Sequence, residues 1–562
     1  MKRFILLLLV ISSGACTVTR NQRAEKPLVV ADSAMVVSAH PLASRVGVDI
    51  LRKGGNAVDA SIAVQFALAV VFPAAGNLGG GGFMVYRESN GEVATLDYRE
   101  KAPGNASTGM YLDEENAVVP GLSERTALAS GVPGTVAGLW EAHQKFGTVP
   151  WQDLVQPAID LAENGFELTE KEARGLNSIQ NELKNNNSVT PDFFIGEWKK
   201  NDTIKLKDLA ATLTRIRDNG RAGFYEGKTA DDLVAEMKRG NGLMSHEDLI
   251  NYAPVWREPI RADYKNYQII SMAPPSSGGI AVAQLLKCIE LYPISEWGHN
   301  SVRTAHLITE AERRVYADRA AYLGDPDFFD VPVQALMNTE YNLERMKSFD
   351  PSRATPSQSV REGTLQMAES EQTTHLSIVD SKGNAVAVTT TLNDSYGSKI
   401  VVAGSGFLLN NEMDDFSIKP GYANMYGAIG GEANKILPNK RMLSSMTPTI
   451  IEKNNELYLV VGTPGGTTII TSVFQTIVNV LEFDMNMQEA VAAAKFHSQW
   501  LPDEIIAERD AFTDATLEKL RAMGHRITFR DEIGRVDAIR ITPEGKREGG
   551  ADPRGDDTAV GY

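Results

Sequence analysis

One predicted hairpin, in which two threonine side chains meet, constrains the fold of this chain more than any other stretch. Residues 371–380 alternate polar and apolar side chains, a pattern typical of a strand with one buried face. Residues 380–384 are rich in turn formers, and residues 385–391 are rich in valine and threonine, which favour a return strand. Facing positions in an antiparallel hairpin have a nearly constant index sum, so Thr391 is expected opposite Thr373. Cross-strand threonine pairs are usually structural, and this spacing alone indicates no function.

Composition excludes several classes of function. The chain has 562 residues, of which 43% are hydrophobic and 23% charged, so it can bury a large core. A formal net charge of −16 disfavours nucleic acid and anionic membrane surfaces as partners. With eight His, two Cys and no close cluster of His, Cys and carboxylate residues, no metal site is expected. No repeat, charge run or Pro/Ser-rich linker divides the chain.

The N-terminus has the pattern of an export signal. A basic start precedes an apolar stretch at residues 4–11 that is too short to span a bilayer. Small residues then lead to Cys16, an order that resembles a bacterial lipoprotein signal cleaved before that cysteine. The alternative is an ordinary secretory signal that contains a cysteine. We therefore expect a signal peptide at residues 1–15, a polar tether at residues 16–27, and an exported, periplasmic protein anchored to the membrane only through lipidated Cys16.

A glycine-rich run at residues 76–82 has two interpretations. A phosphate-binding loop needs a following Gly-Lys-Ser/Thr and a helix that begins there, and the sequence has neither. Residues 83–86 and 93–98 instead predict two strands around an Asn-Gly turn, so close backbone packing explains the glycines better. Arg99 follows this hairpin; an arginine at a strand end is usually a solvated charge or part of a structural ion pair.

The order of the remaining segments predicts the fold class. Helical patterns dominate between residues 135 and 370, whereas strands dominate from residue 373, including one at residues 406–410. Helices return after residue 467. Hairpins combined with helical segments fit an α+β protein in which two antiparallel sheets are covered by helices on both outer faces.

Eight short motifs, spread along the chain, are together more specific than any one of them alone. They are residues 54–59 (GGNAVD), 79–84 (GGGGFM), 97–100 (DYRE), 274–279 (PPSSGG), 372–375 (QTTH), 410–416 (NNEMDDF), 443–449 (LSSMTPT) and 462–466 (GTPGG). In this order they closely resemble the gamma-glutamyltransferases, self-cleaving amidohydrolases of the N-terminal-nucleophile class, from about residue 28 to residue 562. The resemblance implies a four-layer αββα sandwich, with two antiparallel sheets between helix layers. A large subunit (residues 28–372) and a small catalytic subunit (residues 373–562) would build it jointly.

Self-cleavage would give Thr373 a chemistry that an internal threonine lacks. A threonine hydroxyl inside a chain is a poor nucleophile because nothing nearby takes its proton. If the bond between Gln372 and Thr373 breaks, Thr373 gains an α-amine, with a reference pKa of about 7.7–8.0, that can act as its general base. The resemblance implies that the Thr373 hydroxyl makes this cut itself, with Thr391 in a supporting role.

The resemblance also implies where a substrate is held. Gly465 and Gly466 lie between an apolar strand and a helix; this can be an ordinary turn, but the family places its oxyanion hole on the pair. A γ-glutamyl group carries an amine and a carboxylate on one carbon, and both charges need partners. By resemblance, the carboxylate is held by Arg99, Ser444 and Ser445, the ammonium by Asn393, Glu412 and Asp415, and a lid loop at residues 420–431 carries Tyr426 at its tip.

The resemblance thus implies an autoprocessing gamma-glutamyltransferase and glutathione hydrolase that uses no cofactor. It would pass the γ-glutamyl group of glutathione and its conjugates, through an ester on Thr373, to water, amino acids or dipeptides. One alternative is a cephalosporin or glutaryl acylase on the same fold, but Glu412 with Asp415 favours a donor that carries an α-amine. The other is an inactive, lipid-anchored binding protein, which the intact Gln-Thr-Thr-His motif disfavours.

Overall fold

The computed structural model describes residues 26–191, 194–360, 372–419 and 432–562. The predicted signal peptide, Cys16, most of the tether and the predicted lid residue Tyr426 lie outside these ranges. Gln372 is described only as the first residue of a strand. Within the described residues, no helix combines the length and the apolarity needed to cross a membrane.

Nineteen strands run through the described part of the chain. They are β1 (Val29–Ala31), β2 (Met35–Ser38), β3 (Gly81–Arg87), β4 (Val93–Asp97), β5 (Phe166–Glu167), β6 (Thr203–Ile204), β7 (Val255–Arg257), β8 (Ile260–Tyr264), β9 (Tyr267–Ser271), β10 (Gln372–Val379), β11 (Ala385–Asn393), β12 (Thr449–Lys453), β13 (Glu456–Gly462), β14 (Phe496–His497), β15 (Ile505–Glu508), β16 (Ile527–Arg530), β17 (Asp537–Ile541), β18 (Arg547–Ala551) and β19 (Thr558–Gly561).

Eighteen α-helices lie between these strands in the described ranges. They are α1 (Pro41–Arg52), α2 (Ala57–Val71), α3 (Thr135–Phe146), α4 (Trp151–Asn164), α5 (Glu170–Ser178), α6 (Gln180–Asn186), α7 (Lys207–Asn219), α8 (Ala222–Tyr225), α9 (Gly227–Arg239), α10 (His246–Asn251), α11 (Gly278–Ile289), α12 (Ile294–Trp297), α13 (Val302–Tyr322), α14 (Val333–Leu336), α15 (Thr339–Met346), α16 (Thr468–Glu482), α17 (Met487–Ala492) and α18 (Asp514–Ala522).

Two seven-stranded sheets form the centre of the fold. The first has the order β19-β2-β10-β11-β3-β4-β7 and the second the order β1-β18-β17-β13-β12-β9-β8. All neighbouring strands in both sheets are antiparallel. Each sheet interleaves strands from before and after the bond between Gln372 and Thr373. The two predicted subunits therefore share both sheets, although the division at that bond stays a prediction.

The hydrophobic cores show the order of the layers. One core lies between the first sheet and helices α1, α2 and α4, and it includes Leu376 and Ile378 of β10. A second core fills the space between the sheets and continues to α11, α13 and α16; it includes Val379. Successive residues of a strand face opposite sides of its sheet. The predicted αββα sandwich is confirmed, with β10 and β11 in the middle of the first sheet.

Helix α2 shows how local sequence places one outer layer. All fifteen of its residues are buried, which explains its continuous apolar sequence. Its N-terminus carries a capping box, in which the Asn56 side chain accepts from the Asp59 N–H and the Asp59 carboxylate accepts from the Asn56 N–H. The helix thus begins at a defined residue, and it packs against β10 and β11 as well as against α1, α3 and α4.

The predicted strand at residues 406–410 is wrong. Gly406 has a φ of 75°, which lies outside the extended region. Leu408 and Leu409 form only isolated bridges, to Val401 and Gly79 respectively. Both partners are single residues outside the named strands, so no ladder can extend from them.

A row of polar side chains lies on the inner face of the β10–β11 hairpin. His375 Nδ1 is 2.9 Å from Thr389 Oγ1, and His375 Nε2 is 3.1 Å from Ser377 Oγ. Burial lowers the pKa of His375 to about 3, so the ring is neutral at physiological pH. Gly462 of β13 faces this ring, and a Cβ at that position would overlap it.

Substitution Gly462→Ala should therefore destabilise the fold. We expect the free energy of unfolding to fall by about 1–3 kcal/mol, because the buried imidazole cannot move without disturbing its two hydroxyl partners. Thermal or urea unfolding measures the loss. Gly109→Ala is the matched control, since a Cβ there meets no atom within 4 Å. Equal unfolding midpoints for the two variants would contradict this account of the packing.

Candidate active site

A small cavity lies at the open end of the hairpin, between the two sheets. The space between its lining atoms, including open solvent at its mouth, is about 200 Å³. The residues that line it include nine of those predicted from sequence, together with Met446 and Ile469: Arg99, Thr373, Thr391, Asn393, Glu412, Asp415, Ser444, Ser445 and Gly466. The structure thus brings together residues that are separated by more than 350 positions in the chain. Their individual roles stay predictions.

The predicted pairing of the two threonines is confirmed. Thr373 of β10 lies opposite Thr391 of β11, and the ladder shifts register between Gln372 and Thr373. This irregularity falls on the bond that the sequence predicts to be cut. Interruptions of this kind often lie beside active sites, where they redirect a side chain. Thr373 itself is 6% exposed, so its hydroxyl is shielded from bulk water but borders the cavity.

Asn77 fixes the strand that carries Thr391, and the sequence analysis did not identify it. Its amide nitrogen donates to the Thr391 carbonyl at 2.9 Å and to Thr390 Oγ1 at 3.1 Å. Its carbonyl oxygen accepts from Gly80 N and Thr135 Oγ1. The nitrogen and the oxygen of the Asn77 side-chain amide are therefore both hydrogen-bonded, and they fix the end of the hairpin that carries Thr391. The position of Asn77 within the glycine-rich run was the only available signal for it.

The glycine run packs closely against β11, as the sequence predicted. A Cβ on Gly80 would overlap the Thr391 carbonyl, and a Cβ on Gly82 would meet the Thr389 carbonyl. The run continues directly into β3, which pairs with β11 from Gly81 onward. The glycines therefore allow two backbones to approach, which agrees with the packing interpretation of the motif.

The Gly465–Gly466 turn joins β13 to α16. Its residues have φ values of 137° and 58°, a region that favours glycine. The Gly465 carbonyl is occupied, since it accepts from both the N–H and the hydroxyl of Thr468. Among the described residues, neither glycine N–H donates to a protein acceptor. With Gly466 at the cavity wall, the turn can offer N–H donors to an oxyanion.

Arg99 joins the acidic residues at the other side of the cavity. Its guanidinium donates to Glu412 Oε1 at 2.6 Å and to Asp415 Oδ2 at 2.5 Å, and it approaches Glu100 at 3.5 Å. All four side chains are buried. The sequence predicted that Arg99 and the pair Glu412/Asp415 hold opposite charges of one ligand, and the structure shows that they are bonded to one another.

Burial shifts the ionisation of these carboxyl groups. Desolvation raises the pKa of Glu100 to about 7 and of Asp415 to about 6, while Arg99 opposes both shifts. Desolvation also raises the pKa of Glu412 well above its usual range. Three buried carboxyls therefore compete for one guanidinium. A ligand that carries an ammonium and a carboxylate can supply a counter-charge to each side of this cluster.

The polar side chains beside the cluster have fixed hydrogen-bonding directions. Asn393 donates from its amide nitrogen to the Asn411 carbonyl at 3.0 Å, which orients its side chain. Ser444 Oγ accepts from Met446 N at 3.2 Å, and Ser445 Oγ accepts from Arg319 at 3.2 Å. Arg319 was not identified from the sequence, because nothing in its local sequence distinguishes it from other charged residues of a helix.

A possible metal-binding group in the described residues lies elsewhere. His306, Glu310 and His525 place three ligand atoms within 4.8 Å of one another. The two rings hydrogen-bond to each other at 2.7 Å, however, and Glu310 accepts from Arg314 at 2.7 Å and from Thr355 N at 2.9 Å. These hydrogen bonds account for the three side chains as a structural network, and none of the three residues lines the cavity.

Known proteins resemble the chain over nearly its whole length. A family model described as gamma-glutamyltranspeptidase matches residues 43–562. The glutathione hydrolase proenzyme of Escherichia coli is 46% identical over 538 residues, which cover 95% of this chain and 93% of that protein. An acylase ACY 1 proenzyme from a Pseudomonas species is 34% identical, with 95% of each chain covered. The crystal structure of a cephalosporin acylase from Bacillus halodurans matches with a TM-score of 0.83 at 25% identity, covering 96% of this chain and 97% of that one.

Replacing Arg99 by Met should destabilise the folded protein, because the buried carboxyl groups of Glu412 and Asp415 lose their counter-charge. Without the guanidinium, we expect a loss of about 3–5 kcal/mol in the free energy of unfolding at pH 8, where the carboxyls are driven to ionise. In the folded variant, the pKa values of these carboxyl groups rise further above their values in the unfolded chain, which are about 4. The loss should therefore shrink as the pH falls to 5 and the carboxyls take up protons.

Thermal unfolding of both proteins at pH 5 and pH 8 measures this difference. Arg174→Met is the control, because its ion pair with Glu170 is exposed and contributes little at either pH. A loss for Arg99→Met that is the same at both pH values would contradict the ionisation argument.

Proposed function

The chain belongs to the gamma-glutamyltranspeptidase family, and we propose from this that it is an autoprocessing gamma-glutamyltransferase and glutathione hydrolase with Thr373 as its nucleophile. The observation that carries the proposal is that one cavity is lined by Thr373, by a paired cluster of opposite charges and by Gly466 of the glycine turn, whose N–H has no protein acceptor among the described residues. Each part suits a different step of amide cleavage.

The first step is the cut that activates Thr373. Its hydroxyl attacks the Gln372 carbonyl carbon, the bond to the Thr373 nitrogen breaks, and the hydroxyl proton ends on that nitrogen. Water then hydrolyses the resulting ester, which restores the hydroxyl and leaves a carboxylate on Gln372. The register shift at this bond supports the proposal, since it frees the peptide from the regular ladder. The products are a large subunit ending at Gln372 and a small subunit of residues 373–562.

The second step uses the amine that the cut releases. The Thr373 amine takes the proton of its own hydroxyl, directly or through water, as Oγ attacks the γ-carbonyl of the donor. The N–H groups of Gly465 and Gly466 stabilise the oxyanion, and the departing amine takes the proton. Water, or the amine of an amino acid or dipeptide, then attacks the γ-glutamyl ester and restores the enzyme. Thr391 Oγ accepts from Asn393 N at 2.7 Å, and this residue, opposite Thr373, is assigned the role of orienting the nucleophile.

Recognition of the donor follows from the charged cluster. The α-ammonium fits beside Glu412 and Asp415, with Asn393 as a neutral partner, while the α-carboxylate fits beside Arg99 and the hydroxyls of Ser444 and Ser445. Both charges of the donor then enter an existing set of ion pairs, so no charge of the protein is left without a partner. Glutathione carries this α-carbon on its γ-glutamyl group.

An acylase acting on glutaryl groups is the second candidate, because the chain also resembles acylases in sequence and structure. A glutaryl group has no ammonium to place beside Glu412 and Asp415. The higher identity to the glutathione hydrolase proenzyme, 46% against 34%, agrees with the charge argument. The γ-glutamyl activity is therefore the better supported of the two.

Purified protein should consist of two fragments, and it should release the aniline from a γ-glutamyl anilide. Thr373→Ala should remain one chain and be inactive, because it lacks the hydroxyl that both steps require. Thr374→Ala is the matched control: it removes a buried hydroxyl from the next position, on the opposite face of β10, and should still be cut. A denaturing gel and a colour assay measure both properties. A wild-type chain that stays whole and inactive would favour the inactive binding protein instead.

Acidification should weaken donor binding because it neutralises Asp415. Burial places the Asp415 pKa at about 6, so Asp415 takes up a proton as the pH falls through that value and the donor ammonium loses a counter-charge. The KM for the γ-glutamyl anilide should therefore rise between pH 7 and pH 5. With Asp415→Asn the KM should be high and nearly independent of pH over this range. A wild-type KM that falls on acidification would contradict the assigned role of Asp415.

A further inference from the structure

The PPSSGG motif at residues 274–279 has no part in the mechanism above, but it forms hydrogen bonds with the segment that carries the cavity residues Ser444 and Ser445. Ser277 donates to the Ser444 carbonyl from both its N–H and its hydroxyl, each at 2.7 Å. The Pro275 carbonyl accepts from Ser444 N at 2.9 Å. Ser276 Oγ donates to the Met446 carbonyl at 2.6 Å. The main chain of the segment that carries Ser444 and Ser445 is therefore fixed by backbone and hydroxyl groups of residues 275–277.

Arg319 of helix α13 completes this attachment at the level of the side chains. It is 2% exposed. Its Nε donates to Ser277 Oγ at 2.8 Å and its Nη2 donates to Ser445 Oγ at 3.2 Å. A guanidinium can only donate hydrogen bonds, so both hydroxyls must accept from it. Ser277 then gives its own proton to the Ser444 carbonyl.

The direction of these bonds determines what Ser445 can recognise. Because Ser445 Oγ accepts from Arg319, its proton is available to another acceptor, and Ser445 lines the cavity. Ser444 Oγ likewise accepts from a backbone N–H. Both hydroxyls are thus prepared to donate into the cavity. Donors suit a carboxylate and do not suit an ammonium.

The charge of Arg319 acts on the same region. It lies close enough to the cavity to favour the ionised form of Asp415, whose pKa it lowers against the effect of burial. In a buried site a positive charge at this range is only weakly screened. The cavity therefore has a second source of positive potential behind Ser445, in addition to Arg99.

We propose that Arg319 is a positioning residue for the α-carboxylate of the donor: it holds Ser445 as a hydrogen-bond donor and adds buried positive charge behind it. The proposal deepens the proposed function and rests on it. Arg319 contacts the donor only through Ser445, so its contribution should be specific for donors that have an α-carboxylate.

Arg319→Met tests this with two anilides, γ-glutamyl and 4-aminobutanoyl, which differ only in the α-carboxylate. We expect kcat/KM for the γ-glutamyl donor to fall about 10- to 100-fold, mainly through KM, and the value for the other donor to change little. Arg314→Met is the matched control, because Arg314 is a buried arginine of the same helix whose bonds go to Glu310, Ser348 and the Arg345 carbonyl. It should leave the ratio between the two donors unchanged.

A double-mutant cycle with Ser445→Ala separates positioning from general structural damage. If Arg319 acts through Ser445, the KM effects of the two substitutions on the γ-glutamyl donor should be clearly less than additive. Arg319→Lys, which keeps the charge but not the two-point contact, should recover part of the loss and serves as the second variant if the Met variant does not fold. Additive effects, or equal losses on both donors, would overturn the inference. A wild-type enzyme that does not cleave the γ-glutamyl anilide would instead overturn the proposed function.

Discussion

The register of one hairpin determines whether the rest of the site can exist. Thr373 shares a strand face with His375 and Ser377, and this face points to the second sheet. A slip of one residue would turn every side chain of β10 to the opposite face. Leu376 and Ile378, buried against the helix layer, oppose such a slip because it would turn His375 and Ser377 into that apolar core, away from their hydrogen-bond partners. The nucleophile is thus placed by residues that take no part in its chemistry.

The site is assembled from both sides of the bond that is proposed to break. Arg99, Asn77 and the PPSSGG motif precede it, whereas Thr391, Asp415 and Ser445 follow it. Because each sheet contains hydrogen-bonded strands from both sides of that bond, the cut would leave the architecture in place. The proposed cut would change only the ends of one bond, and the released amine would lie on the same residue as the hydroxyl. An enzyme of this design stays inactive until its own fold is complete.

The periodicity of the sequence was sufficient to predict the hairpin, the helix layers and the two-sheet architecture. Such periodic patterns depend on residues that are near one another in the chain. Motif resemblance identified the residues around the cavity. Neither could show that Arg99 bonds to Glu412 and Asp415, which lie 313 and 316 positions away. Asn77 and Arg319 were missed for the same reason, because each acts through contacts far along the chain. The strand expected at residues 406–410 failed because a positive φ at Gly406 interrupts an apolar run that looks regular.

The central claim is that one residue, freed by a cut, supplies both the nucleophile and its base. The most direct test is to quench the enzyme with acid during turnover of a γ-glutamyl donor and to map the mass of each fragment. The account predicts a small fragment that begins at Thr373 and carries one γ-glutamyl group on that residue. Turnover by an uncut chain, or a γ-glutamyl group on any other residue, would contradict it.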